Sequence, residues 1–324
     1  SISTDLTPYL IDGSRREDDA PRWMNHFYDP VYNRGFTISL FSWQKSKDWA
    51  QDDNNQNSLV YKVSSGIASV LSALEQDKIT AITSESDFTW QQAIKFYNQD
   101  EKEKAIFMLG HILHLIEDTS VPDHTRNDPH PGDSPYEIYT SQFNLTNPDK
   151  ALNTRLNNKT PIILSGLNSY FDGLANYSNN NFYSKDTIGI QSGYDSPIPD
   201  YFQTLEDGRS YGIHSDKDFG NYPIVMAKGL LEVKTDELLN RPLIMLNYWS
   251  RLSTKSVEYG AGLINLFLQQ AEAAKNNSDV SQTQPKSFLS QVIDVVTNFF
   301  SDIFGNNQNL QPVAQITLDT QNTD

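Results

Sequence analysis

The chain has 324 residues, no cysteine, and 41 acidic against 25 basic side chains, for a net charge of −16. That length accommodates one large domain or two ordinary ones, each with a real core. The lack of thiols excludes a disulfide framework and a thiolate metal site, so any metal must rest on His, Asp and Glu, and the negative balance opposes binding to duplex nucleic acid.

The apolar runs are too short and too interrupted to cross a bilayer. Ser1 opens a polar segment without an initiator Met or a signal-like region. The expectation is a removed leader or a piece of a larger modular surface protein, secreted or cell-surface, and monomeric.

Residues 1–57 carry turn formers and charges, as in IDGSRREDDAPRWMNHFYDP, with no sustained period, and read as irregular. Helical spacing begins near Leu59 in LVYKVSSGIASVLSAL and returns in TWQQAIKFY. It is strongest in DEKEKAIFMLGHILHLIED, where Asp100 with Glu103 three residues on reads as a capping box. Pro122 ends that helix soon after Asp118. Residues 134–147 and 149–177 look partly helical, whereas 178–224, rich in Asn, Asp, Gly and Tyr, reads as a long loop region. Helices over roughly 230–252 and 254–275 follow, and no strand-length alternation stands out before the tail. The fold class is mainly α, a multi-helix domain with long loops over residues 1–275. A linker is expected at 276–286 and an amphipathic helix from Ser287 to Gly305, docking on the main domain or meeting a membrane or partner. Residues 306–324 read as the start of a strand or a disordered tail.

Four of the six histidines (His111, His114, His124 and His130) fall within LGHILHLIEDTSVPDHTRNDPH, interleaved with Asp118, Asp123 and Asp128. His114 and Asp118 lie four apart on a helix, so both leave the same face and can grip one divalent ion. His124 follows the helix end, where a turn can return it to Asp118. Asp133 and Glu137 repeat the four-residue interval in DSPYE. Imidazole and carboxylate suit zinc in a hydrolytic site, and a bridging aspartate can hold two ions ~3.5–4 Å apart across a phosphoester. A lone HxxxD pair is ordinary on helices; six candidate ligands within 24 positions of so His-poor a chain are not.

HFYDP, with Asp12 fourteen positions before its His26, and then LGHILHLIEDTSVPDHTRND followed by YE, resemble the bacterial zinc-dependent phospholipase C family, whose helical fold is shared with single-strand-specific zinc nucleases. The likeness covers roughly residues 9–145. It implies a zinc cleft in which Asp12, His26, His114 and Asp118 hold a first ion and Asp118 bridges to another. Asp12 would also orient or deprotonate the attacking water. His124 and Glu137 match ligands of a second ion, while Asp133 stands where the family has a His, and His130 competes with it. The family's amino-terminal Trp and nearby His, which bind a third ion, have no counterpart before Asp12. That site is absent, completed by His111 or His214, or lost by truncation, so two or three zinc ions are implied.

The resemblance implies a phosphodiesterase acting on phospholipid headgroups, in contact with a membrane surface. The alternatives are a single-strand nuclease of the same fold and a metal-stabilised, non-catalytic interaction module. Arg126, near His124, reads equally as a phosphate contact and as a surface ion-pair residue. His111 fits a hydrogen-bonded helix histidine better than a ligand; Asp128 and His214 are lesser candidates, the latter in a loop that lines the cleft. Trp23, Phe27, Tyr28, Trp43, Trp49 and Phe143 form either a box for a choline-type headgroup or ordinary packing.

Overall fold

A computed structural model describes residues 3–19, 22–56, 87–130, 134–146, 156, 159–189, 192–227 and 242–278. Within them the chain is mainly helical. After a 3-10 turn at Thr4–Leu6 come α1 (Thr7–Glu17), a second 3-10 turn (Arg22–Asn25), a short hairpin of β1 (Thr37–Ile38) and β2 (Phe41–Ser42), and α2 (Ser46–Trp49). Then follow α3 (Trp90–Asn98), α4 (Lys102–Asp118), α5 (Pro122–Thr125), α6 (Pro135–Thr146) and α7 (Leu167–Asn181). The antiparallel sheet β3 (Tyr201–Thr204), β4 (Ser210–Asp216) and β5 (Gly220–Met226), in that order, precedes α8 (Pro242–Ser278).

Helix α4 is the centre of the main core, buried from Ala105 to Ile116 on nearly every side. It packs most closely against α1, which lies in the 1–57 stretch expected to be irregular. The residues α1 buries are Thr7, Leu10, Gly13, Ser14 and Glu17, a three- and four-residue period written mostly in small and polar side chains. Hydropathy could not show it, but Pro8 in the first turn and Arg15 and Arg16 in the last are helix signals. The two backbones meet at glycines: a Cβ on Gly13 would lie 1.8 Å from the Phe107 carbonyl oxygen, and one on Gly110 2.2 Å from that of Leu10. Gly13→Ala must therefore push α1 off α4, and we expect a loss of about 1–3 kcal/mol in urea unfolding.

Three further expectations are corrected. Helix α4 starts at Lys102 rather than at Asp100, which sits in left-handed backbone (φ 65°) and caps nothing, pairing instead with Lys102. The helices expected at 230–252 and 254–275 are one continuous helix, α8, from Pro242. The 178–224 region holds the sheet. Asp207-Gly208 turns β3 into β4, with Gly208 at φ 75°, and β4 runs into β5 through an Asp216 side chain that accepts from the Asp218 and Phe219 amides. That sheet and the start of α8 share a second core around Phe182, Tyr222, Tyr248 and Trp249. The linker expected from residue 276 is still helix to Ser278, where α8 ends, and its remainder, the helix expected from Leu59, the tail helix and Asp133 lie outside the described residues.

Candidate metal centre

Among the described residues, two groups of ligand-type side chains each converge within 4.8 Å: Asp18, His26 and His114, and His124, His130 and Glu137. Asp18 follows the last turn of α1, His26 follows the Arg22–Asn25 turn, and His114 and Asp118 share the last turns of α4. Pro122, at the start of α5, redirects the chain so that His124 faces back, and α6 opens with Glu137 in its first turn.

In the first group His114 Nε2 lies 3.3 Å from both Asp18 Oδ1 and Asp118 Oδ2, and His26 Nδ1 lies 2.7 Å from Asp118 Oδ2 and 3.8 Å from Asp18 Oδ1. In the second, His124 Nε2 is 3.3 Å from His130 Nε2 and 3.5 Å from Glu137 Oε1, and His130 Nε2 is 3.2 Å from Glu137 Oε2. His124 joins the two, its Nδ1 being 3.6 Å from Asp118 Oδ2. Four ligands about 2.0–2.1 Å from a tetrahedral ion stand about 3.3–3.4 Å from one another. Most of the separations cluster at that edge length.

Tautomers are set from outside. His26 Nε2 donates to the Glu17 carbonyl (3.1 Å), which leaves the Nδ1 lone pair free for a cation on the side of Asp18 and Asp118. His130 Nδ1 donates to the Asp128 carbonyl (2.9 Å), which turns Nε2 toward Glu137 and His124. Ser134 and Glu137 form a reciprocal capping box, the Ser134 amide donating to Glu137 Oε2 and the Glu137 amide to Ser134 Oγ. Such outer hydrogen bonds are how metal sites orient their ligands. His114 Nε2, Asp118 Oδ2 and His124 Nδ1 are buried with no partner in hydrogen-bonding geometry. Buried polar atoms are seldom left so.

Burial alone would lower the His114 pKa, but Asp118 and Asp18 override it and hold it well above the usual value. Burial would raise the Asp118 pKa, yet His114, His124 and His26 hold it well below the carboxylate range. His130 is lifted to about 9 by Glu137 against the cost of burial, and Glu137 is depressed in turn by His124 and His130. Each group can hold a divalent cation, which would take the place of those protons.

Several sequence candidates sit elsewhere. Asp12 is the main correction: it lies on the exposed face of α1, paired with Arg16 at 3.4 Å, beside a shallow hollow lined by Thr4, Thr7, Pro8, Ile11 and Arg15. The carboxylate that the structure brings beside His26 and His114 is that of Asp18, eight residues before His26, because α1 ends at Glu17 and the chain turns there. His130 completes the second group, and Asp128 serves it through its carbonyl while its carboxylate accepts from the Asp186 amide. Arg126, expected at the surface or on a phosphate, is buried. Its three nitrogens donate to Thr187, Asn179, Phe182 and Ser196, its guanidinium lies 4.4 Å from the Tyr194 ring centroid, and burial lowers its pKa to about 10. It ties Asn179, Phe182, Thr187 and Ser196 to the end of α5. His214 lies on β4 and contacts Asn181 and Asp200, in neither group.

His111 is not in either group. It is fully buried, stacked on Phe88 at 4.2 Å, with Nδ1 2.6 Å from Glu17 Oε2. Glu17, which the sequence reading missed, is fully buried and also accepts from Arg22 (2.7 Å) and from Trp49 Nε1 (2.8 Å). Trp49 is therefore packing, as is Tyr28, whose hydroxyl bonds Asp172. Trp23 is partly exposed, the side chain of Phe143 lies outside the described residues, and Phe27 packs its ring 4.6 Å from that of His124.

Burial drives the His111 pKa to about 4 in spite of Glu17. The unfolded chain binds that proton below about 6.5 and the folded chain does not, so stability falls as pH drops from about 6.5 toward 4. Burial would raise the Glu17 pKa, but Arg22 and His111 hold it well below 4.5, so its contribution is present above 4.5 and lost at lower pH. Urea midpoints should decline between pH 7 and pH 4.5, and less steeply in His111→Asn; equal slopes would show that His111 titrates normally.

Comparison of the chain with protein-family profiles, curated proteins and solved structures returned no match. No described helix is long and apolar enough to cross a membrane.

Proposed function

We propose that the chain is a zinc-dependent phosphodiester hydrolase of the phospholipase C type, acting outside the cell on phospholipid headgroups. The observation that carries this reading is the convergence of seven nitrogen and oxygen ligands, from Asp18 to Glu137, with two histidine tautomers fixed by backbone carbonyls. Asp18, His26, His114 and Asp118 would hold one ion, and His124, His130 and Glu137 another, with Asp118 between them. Bound zinc supplies Lewis acidity toward a phosphodiester and makes a neighbouring water more acidic.

The chain's own groups have separate parts. The Asp18 side chain, 66% exposed, is the carboxylate of the cluster that solvent and substrate reach, and it takes the proton-accepting part expected of Asp12. Phe27 covers His124 and His130, its ring 4.6 and 5.7 Å from theirs, and keeps water from that side. Glu17 fixes His26 through its carbonyl, so the imidazole needs no rearrangement to bind. The surplus of acid elsewhere on the chain is no obstacle, because bound cations dominate the local field.

The test is elemental analysis of protein purified without chelator, followed on the same sample by hydrolysis of a phosphatidylcholine, a soluble choline phosphodiester and single-stranded DNA. Two or more zinc ions with cleavage of the lipid and the choline ester are expected. Cleavage of DNA alone would make it a nuclease, and zinc without any hydrolysis would make it a metal-stabilised interaction module.

A further inference from the structure

The β1–β2 hairpin carries an apolar tip that is exposed among the described residues. Leu40 is 98% exposed, Phe41 67% and Ile38 44%, and the octet Phe36–Trp43 has no charged residue in a chain that is 20% charged. Ser39 takes φ 53° at the turn, which drives Leu40 outward at the apex. A second turn, with Val31 53% and Tyr32 51% exposed, is tied to the hairpin base by Lys45, whose Nζ donates to Asn33 Oδ1 at 2.8 Å.

Two features choose the occupant. Residues 31–47 hold Arg34, Lys45 and Lys47 and no acid, and each base pairs with an acid beyond that stretch, Asp29, Asp48 or Asp172, so the tip is spared the chain's net charge of −16. The tip is also small, a hairpin of two residue pairs, Thr37 with Ser42 and Ile38 with Phe41, whereas a stable protein interface takes ~800 Å² from each partner. Protruding apolar side chains above a rim of bases paired with acids suit a medium that deforms around them, the boundary of a zwitterionic lipid layer. Furthermore, an unbroken column of rings leads from the tip to the metal centre: Phe41 to Trp43 (6.3 Å), Trp43 to Phe36 (5.1 Å), Phe36 to Phe27 (4.7 Å) and Phe27 to His124 (4.6 Å).

We infer that the Phe36–Trp43 hairpin seats the protein on a zwitterionic lipid surface, with Leu40 and Phe41 entering the apolar layer and the ring column holding the metal centre at a fixed distance from it. The role given to the column rests on the phosphodiesterase reading; the anchor itself does not. Anionic lipid is disfavoured by the charge of the chain.

Flotation with phosphatidylcholine vesicles in 0.15 M salt tests it, comparing wild type with Leu40→Ser/Phe41→Ser and with Leu40→Ser alone. The expected result is vesicle binding by wild type that weakens about tenfold in the single variant and about 100-fold in the double, at unchanged melting temperature, since both side chains are exposed. Failure of wild type to float overturns the inference, as does equal flotation of the variants. Binding only to anionic vesicles, lost at higher salt, also overturns it, as does a wild-type dimer that the double variant breaks. Vesicle binding without hydrolysis of any diester would sink the hydrolase reading and leave the anchor standing. Unchanged hydrolysis of a soluble diester with lost vesicle binding supports both.

Discussion

Asp118→Ala is expected to lose its metal in dialysis that leaves wild type loaded, and its phosphodiester hydrolysis is expected to fall at least about 100-fold. Asp118 Oδ2 is the atom shared by the most ligands, lying 2.7, 3.3 and 3.6 Å from His26, His114 and His124. A four-ligand zinc site gains about 10–16 kcal/mol, so one ligand is worth roughly 3 kcal/mol, a factor of about 100 in affinity. The informative comparison is Asp18→Ala with Asp12→Ala. The resemblance assigns the role to Asp12; the fold puts Asp18 Oδ1 3.3 Å from His114 Nε2 and leaves Asp12 facing solvent with Arg16. Asp18→Ala should weaken zinc binding about as much as Asp118→Ala, and Asp12→Ala should leave both zinc content and hydrolysis as they were. Titration with a zinc-competing indicator reads the difference, and loss of zinc in Asp12→Ala would discard the placement of α1.

Glu17→Ala should be the most damaging single change to stability, about 3–5 kcal/mol. It removes the acceptor of Arg22, His111 and Trp49 together and strands the Arg22 guanidinium, 2% exposed, without its carboxylate. The double variant Glu17→Ala/Arg22→Ala should cost less than the sum of its parts, because removing Arg22 removes the stranded charge. Additivity within about 0.5 kcal/mol in urea unfolding would mean that the buried pair is not coupled. Since the Glu17 carbonyl also orients His26, zinc affinity in Glu17→Ala reports whether the end of α1 stays in place.

The sequence by itself determined the mainly helical class, the existence of α4, α6 and α7, and the richest ligand segment, because these lie in local patterns: an apolar period for α4 and a dense run of His and Asp along its end and the residues that follow, to His130. It also excluded thiolate ligands outright. What it missed was non-local or written in other letters. Helix α1 buries Thr, Gly, Ser and Glu against α4, so no hydropathic period marks it, and with α1 unseen nothing distinguished Asp18 from Asp12. The sheet was signalled by Asp207-Gly208 between YFQT and SYGIH, but Asn- and Tyr-rich flanks hid its alternation. The functional or structural character of Arg126, His111 and Trp49 was decided only by tertiary packing, which buries Arg126 among backbone carbonyls and gathers His111 and Trp49 around Glu17, 94 and 32 positions away. Spacing along a chain reports which groups share a face; which groups share a site depends on where long-range packing turns the backbone back, and here that is done by two glycines, a proline and a buried carboxylate.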